Sequence, residues 1–267
     1  MNTTMWHDYE AAYREALQDP EFLAWRELGA QRKADNIVRV CRGLNPASVI
    51  EIGCGTGAVL RRLHTANFAR EYFCTDLSPS AIAYVRASCP AFAASAMVGQ
   101  AEALSYPDGA FDLAILSHVI EHMQDPLGAL REASRIARFV AVEVPTEKVA
   151  VNLIRTKLLR RPYPSIAGAG HVQFWSPRSI AGFLKNDAGF EILARHQDLL
   201  NRDEEADAAR FHPGLAQQAL KRSLRRLLPA ALFARVFTTH AAFLCSKPQR
   251  AAGVPSARRS VALASGA

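Results

Sequence analysis

The stretch VIEIGCGTGAVL, residues 49–60, constrains the fold more than any other part of the chain. An apolar run carrying Glu51 leads straight into Gly53, Gly55 and Gly57, three glycines within five residues. Glycine loses more conformational freedom on folding than any other residue. Such a cluster belongs where the chain turns tightly or where something approaches the backbone. A short apolar run followed by a helical pattern reads as a buried strand entering a helix through this turn. Turns of that kind sit at the C-terminal edge of a parallel sheet, where α/β folds hold ligands.

The alternation continues downstream. Strands are predicted at 47–53, 71–76, 92–98, 111–117, 138–145, 191–200 and 235–246. Helices are predicted at 57–68, 79–88, 126–137 and 213–232, and another opens at Pro177 within the segment 176–190. Ser78 before Pro79, and Ser176 before Pro177, have the order of an N-cap and a first helical residue. Gly189 is the matching C-terminal stop. Pro107 and Asp108-Gly109 make 105–112 a turn. Ahead of the first strand, 6–18 and 21–42 read as two helices broken at Asp19-Pro20. Strands alternating with helices imply βαβ units and a parallel sheet.

Bulk properties narrow the function classes. The chain has 267 residues, 49% of them apolar, and contains no long apolar run of membrane-spanning length. The N-terminal segment lacks the basic and apolar regions of a signal peptide. Five scattered cysteines form no C-x-x-C pair and no zinc spacing, so reduced thiols and a cytoplasmic location are expected. The net charge is +7, and Lys247, Arg250, Arg258 and Arg259 of the tail supply four of those charges. That tail, 247–267, is expected to be disordered. Between Glu147 and Asp187 there are no acids but seven basic residues, including Lys148, Arg155, Arg161 and Lys185. This span reads either as a solvated face or as a basic rim toward an anionic acceptor or a membrane surface. The helix at 213–232 is basic and amphipathic, which leaves peripheral membrane contact open. Nucleic acid is disfavoured, because the basic residues carry no recognition motif.

The glycine loop alone fits two ligands. Gly53-x-Gly55-x-x-Ala58 also satisfies a dinucleotide fingerprint, and Asp76 at the end of the second strand would take ribose hydroxyls in either case. Glu51 argues for a cationic ligand, since it would repel a pyrophosphate. The helical segment before the first strand argues the same way. So does the segment VGQAEALSYPDGAFDLAILSHVIEHMQDP, residues 98–126.

Taken together, EIGCGTG, FDLAILSHVIEHMQDP and GHVQFWSPRSIAGFLKNDAGF resemble the class I S-adenosylmethionine-dependent methyltransferases. The likeness is to the group that includes ubiquinone/menaquinone-type and small-molecule O- and N-methyltransferases, and it covers residues 45–145 best. It implies a Rossmann-like, seven-stranded, mostly parallel sheet with an antiparallel last strand and helices on both faces. A helical lid would occupy 1–44. The methyltransferase domain would run from 45 to 246, with insertions around 146–175 and 200–232. The resemblance also implies S-adenosyl-L-methionine as cofactor. Glu51, Gly53, Gly55 and Gly57 would lie by its methionine part, Asp76 on its ribose, and Leu77 on its adenine. Gln100, Ala101 and Glu102 would meet the adenine edge, Gln100 standing where the family often has Asp. Ser117 and His118 would border the transferred methyl.

Transfer to a hydroxyl or amine benefits from a base, for which His118 and His171 are the candidates, with His122 read as a brace for the next helix. Histidine and acid spacing shows no metal-ligand cluster, so no metal is implied. Trp6, Tyr9, Tyr13 and Trp25 are aromatic enough to enclose an adenine or acceptor, while Trp25 reads first as a core residue. The acceptor is expected to be a small molecule. Three other readings stay open: attack on the cofactor's aminopropyl arm by a cyclase or lyase, a non-catalytic cofactor-binding protein, and a nicotinamide-dependent dehydrogenase.

Overall fold

Residues 10–11, 13–146, 171–199 and 238–247 are described by the structure, a computed structural model. In chain order the elements are α1 (Pro20–Val40), β1 (Ser48–Ile52), α2 (Ala58–Thr65), β2 (Glu71–Asp76), α3 (Pro79–Ser88), β3 (Ala96–Val98) and β4 (Phe111–Ser117). A 3₁₀ turn (Ile120–His122), α4 (Pro126–Ile136), β5 (Ala137–Pro145), α5 (Pro177–Gly182), β6 (Glu191–Leu199) and β7 (Thr238–Ser246) follow. The expected helix at 213–232, the basic tail, Trp6, Tyr9 and most of the basic span lie outside the described residues.

The seven strands form one sheet in the order β3-β2-β1-β4-β5-β7-β6. The pairings from β3 to β5 are parallel, and β7 runs antiparallel to both β5 and β6. The mostly parallel sheet and its antiparallel last strand are thus both present. The strand order reverses between β1 and β4. The crevice outside the carboxyl ends of these two strands is the topological switch point, where open α/β sheets bind ligands.

Side chains alternate between the two faces with a period of two. Leu113 and Ile115 of β4 join a core with Ala34 and Ile37 of α1, Leu60 and Leu63 of α2, and Ile82 and Val85 of α3. Ala114 and Leu116 join the opposite core, with Leu130 and Ala133 of α4, Ile180 of α5 and Leu184 just after it. Burial on both faces explains why β1 and β4 read as continuous apolar runs.

Helix starts follow their local chemistry. Asp19 accepts from the Glu21 amide at 2.8 Å and caps α1, and Ser78 accepts from the Ala81 amide at 3.0 Å and caps α3. Ser176 forms a reciprocal capping box with Ser179. The helix that begins at Pro177 widens into a π turn over Phe183–Asp187 and stops before Gly189, whose φ is +71°.

Two expectations are corrected. The third strand is only Ala96–Val98. Pro90–Ser95 forms a 3₁₀ helix: Cys89 leaves the α3 conformation, Pro90 opens a new turn, and Phe92 tucks into the core. Trp25 is not a core residue: it is 41% exposed, beside Phe22 and under the Arg26 guanidinium. The buried stripe of α1 is Ala30, Ala34, Asn36, Ile37 and Val40, farther along the helix.

Candidate active site

The glycine loop hangs from the end of β2. Gly53 and Cys54 donate their amides to the Thr75 carbonyl at 2.8 and 3.1 Å. Gly55 donates to Asp76 Oδ2 at 2.7 Å, Gly57 donates to the Cys54 carbonyl at 2.9 Å, and Ser78 donates to Asp76 Oδ1 at 2.9 Å. Most of the loop amides are therefore spent inside the protein and are not free to face a ligand. What the glycines provide is bare backbone. A Cβ on Gly53 (φ +75°) would lie 2.5 Å from Val119 Cγ2. A Cβ on Gly55 (φ +55°) would lie 2.5 Å from Arg26 Nη2 and 2.6 Å from the Tyr13 hydroxyl. Both positions have left-handed backbone that suits glycine.

Four carboxylates are buried at this edge of the sheet: Glu51, Asp76, Glu121 and Glu143. Each comes from the end of a strand or the turn just after one. Burial pushes Glu51 up to about 8, against the pull of Lys33 and Arg26. Its Oε2 accepts from the Leu60 amide at 3.1 Å, which caps α2 where Gly57 has no side chain to do so. Burial raises Asp76 as well, although the Ser78 and Gly55 amides favour its charged form. Glu121 is pushed by burial to about 8. Positive charge comes from one face of α1. Lys33 is lowered to about 8 by burial and by Arg26, with Glu143, Glu121 and Glu51 acting the other way.

His118 follows β4 in a left-handed conformation, φ +58°. For a non-glycine residue this costs on the order of 1 kcal/mol, and such strain is commonest at functional positions. The His118 amide donates to the Glu143 carbonyl at 2.9 Å, which holds the turn. Its Nδ1 lies 3.4 Å from Glu121 Oε1, and its Nε2 lies 4.0 Å from Glu143 Oε2. Burial, then Lys33 and His240, hold His118 well below the ordinary histidine range, so it is neutral near pH 7. The His240 ring stands 4.8 Å from that of His118. Each Glu143 oxygen has a donor: Oε2 accepts from the Ser117 hydroxyl at 2.5 Å and Oε1 from Asn36 Nδ2 at 3.1 Å.

The structure thus gathers Glu51, Gly53, Gly55, Asp76, Ser117 and His118 at one edge. Gly57 lies one turn deeper, where a Cβ would be 3.1 Å from Val85. Leu77 is half-buried beside Asp76. Gln100 is exposed, while Ala101 and Glu102 are half-buried. This segment is tied to β2 by the Gly99 amide, which donates to the Asp76 carbonyl at 3.0 Å. His171 is farther out, with its ring 4.8 Å from that of His122.

Sequence reasoning missed Arg26, Lys33, Asn36, Glu143 and His240. Two of them left a signal: Glu143 and His240 are lone polar residues in the apolar strands VAVEVP and THAAFLC. It also missed that His118, Glu143 and His240 offer ligand atoms within 4.8 Å of one another, and that Glu121, His122 and His171 do likewise. Linear spacing hides both sets, because each joins segments distant in the chain.

Comparisons with known proteins agree with this architecture. A family model described as a methyltransferase domain matches residues 5–195. Ajmaline N-methyltransferase of Rauvolfia serpentina is 33% identical over 97 residues, which cover 34% of this chain and 33% of that protein. Malonyl-[acyl-carrier protein] O-methyltransferase of Hahella chejuensis is 28% identical over 159 residues, covering 57% of this chain and 54% of that one. The matched segments therefore span a third to about half of these relatives. A solved structure from Thermotoga maritima, titled a SAM-dependent methyltransferase and possible histamine N-methyltransferase, shares the fold. Its TM-score is 0.58 at 19% identity, over 91% of this chain and 99% of that one. With its seven-stranded sheet, its glycine loop and a family match over most of its length, the chain belongs to the class I S-adenosylmethionine-dependent methyltransferase family.

Proposed function

We propose that this protein moves a methyl group from S-adenosylmethionine to an oxygen or nitrogen of a small molecule. The observation that carries the reading is the set of buried carboxylates at the switch point, at the same sheet edge as a loop of bare glycine backbone. Buried acids without a full complement of partners favour a cationic ligand. The residues suit that cofactor. Asp76 uses one lone pair of each oxygen on an amide and retains acceptor capacity for two ribose hydroxyls. Glu51 would face the cationic methionine part across Gly53 and Gly55, with Gly57 shaping the turn. Leu77 would pack on the adenine, and Gln100, Ala101 and Glu102 would border its edge. Arg26 and Tyr13 stand over Gly55 and belong to the proposed lid, from which they would move on binding.

When bound, the cofactor supplies a methyl made electrophilic by its sulfonium. His118 is proposed as the base that takes the acceptor's proton at Nε2, and Glu121 at Nδ1 would orient it. Ser117 would act through Glu143, to which its hydroxyl already donates. His171 would border the acceptor side. A base of this kind contributes roughly 100- to 10,000-fold. The two relatives named above are an N- and an O-methyltransferase of small or carrier-bound molecules, which supports the acceptor class. Five free, buried thiols suit a reducing compartment, which supports a cytoplasmic location. No helix among the described residues is long and apolar enough to cross a membrane.

The test is product analysis by mass spectrometry with S-adenosylmethionine and a panel of hydroxyl- and amine-bearing small molecules. Acceptor-dependent S-adenosylhomocysteine is the expected product. Methylthioadenosine formed without any acceptor would overturn the reading in favour of attack on the aminopropyl arm. Tight cofactor binding with no turnover on any acceptor, together with co-sedimentation on anionic vesicles, would favour a non-catalytic role.

A further inference from the structure

The side chain of Glu121 is 1% exposed, and neither of its carboxylate oxygens has a hydrogen-bond partner among the described residues. A buried carboxylate left in that state costs several kcal/mol unless a cation or donor meets it. Imidazoles converge on it from two segments. His118 Nδ1 is 3.4 Å and His122 Nε2 is 3.8 Å from Glu121 Oε1. His171 arrives from the segment before α5, edge-on to His122 at an interplanar angle of 70°.

That second segment is fixed in place. The amides of Val172 and Gln173 donate to the Glu121 carbonyl at 2.8 and 2.9 Å, and Gln173 Nε2 donates to the Met123 carbonyl at 3.2 Å. The turn that carries Glu121 and His122 and the irregular segment before α5 are thus clamped together, so that a carboxylate and two imidazoles offer ligand atoms within 4.8 Å of one another.

We propose that Glu121, His122 and His171 form a binding site for a divalent first-row transition metal ion at the outer edge of the active-site crevice. Two imidazoles and one carboxylate form a ligand set suited to zinc and its neighbours. Ligand atoms about 2.0–2.2 Å from one ion lie roughly 3–3.5 Å apart, so the three groups close by about 1 Å on binding. The His122 side chain, 42% exposed, has room to make that movement and leaves the ion open to water or another ligand on the solvent side. His118, touching Glu121 from behind, orients the carboxylate as an outer partner. The site stands on these side chains alone and goes beyond methyl transfer, so it survives if the acceptor class is wrong.

The test uses the full, untagged protein, stripped with a chelator and titrated with Zn²⁺ and with Co²⁺. Expected are one tightly bound ion per chain by calorimetry and elemental analysis, and visible Co²⁺ absorption bands of low coordination number. Glu121→Gln and His171→Ala should each weaken binding at least 10-fold. His122→Ala serves as the variant least able to disturb folding, because its ring is partly in solvent. His64→Ala, at an exposed position, should leave the affinity unchanged. Uptake below one ion per chain, or affinity that survives unchanged in His122→Ala and Glu121→Gln, overturns the site.

Discussion

Asp76 offers the sharpest test of the cofactor reading, because the structure gives it two separable duties. One oxygen clasps the Gly55 amide and the other the Ser78 amide, at 2.7 and 2.9 Å. Replacing it with Ala leaves two buried donors without their acceptor. Hydrogen bonds to a charged group are worth about 1.5–3 kcal/mol each, and relief of the buried charge returns part of that. A net loss of about 2–4 kcal/mol in unfolding free energy is expected, measured by urea denaturation without ligand. The remaining lone pairs are the proposed seats of the ribose hydroxyls. Losing two such bonds at about 1.5 kcal/mol each weakens S-adenosylhomocysteine binding on the order of 100-fold, measured by calorimetry. Asp76→Asn separates the duties. It keeps one acceptor oxygen for a backbone amide, so it should retain more stability than Asp76→Ala while still losing most of the affinity. If either variant loses stability as stated but binds the ligand with unchanged affinity, Asp76 is only a clasp for the loop and the cofactor argument fails.

Three further outcomes follow from the same geometry. Burial raises Glu51 to about 8, so the folded chain holds a proton that the unfolded chain releases near pH 4.5. Its contribution to stability is therefore full below about pH 4.5 and declines as pH rises toward 8. Counting only half of that shift, because water and neighbouring dipoles rearrange around a buried charge as it forms, Glu51→Gln removes about 2 kcal/mol of this decline. Parallel pH–stability curves for the two proteins would refute the assignment. Trp25 carries the Arg26 guanidinium 5.9 Å from its ring centre, and Arg26 covers Gly55. Cofactor binding should displace Arg26 and change tryptophan fluorescence, and Trp25→Phe should abolish that change. A signal that persists in Trp25→Phe places the movement elsewhere. His118→Ala should lower kcat about 100-fold or more while cofactor affinity stays within a few fold, and an unchanged kcat removes His118 as the base.

The sequence by itself determined the layered sheet, the glycine turn and the caps. Each depends on residues close together in the chain: an apolar run, alternate glycines, or a serine followed by proline. Gly53, Gly55 and Asp76 were legible for the same reason, since a turn at the C-terminal end of a strand is a local pattern. The short third strand was not legible, because an Ala-rich stretch after Pro90 suits a 3₁₀ turn as well as a strand, and burial of Phe92 chose between them. Tertiary structure alone decided what surrounds the carboxylates. It laid Arg26, Lys33 and Asn36 of α1 over the sheet, set Glu143 and His240 beside His118, and brought His171 to the turn that carries Glu121. Those residues lie up to a hundred or more positions apart in the chain. Their charges and protonation depend on distance and burial, which chain order does not encode and which only packing of the two layers against the sheet creates.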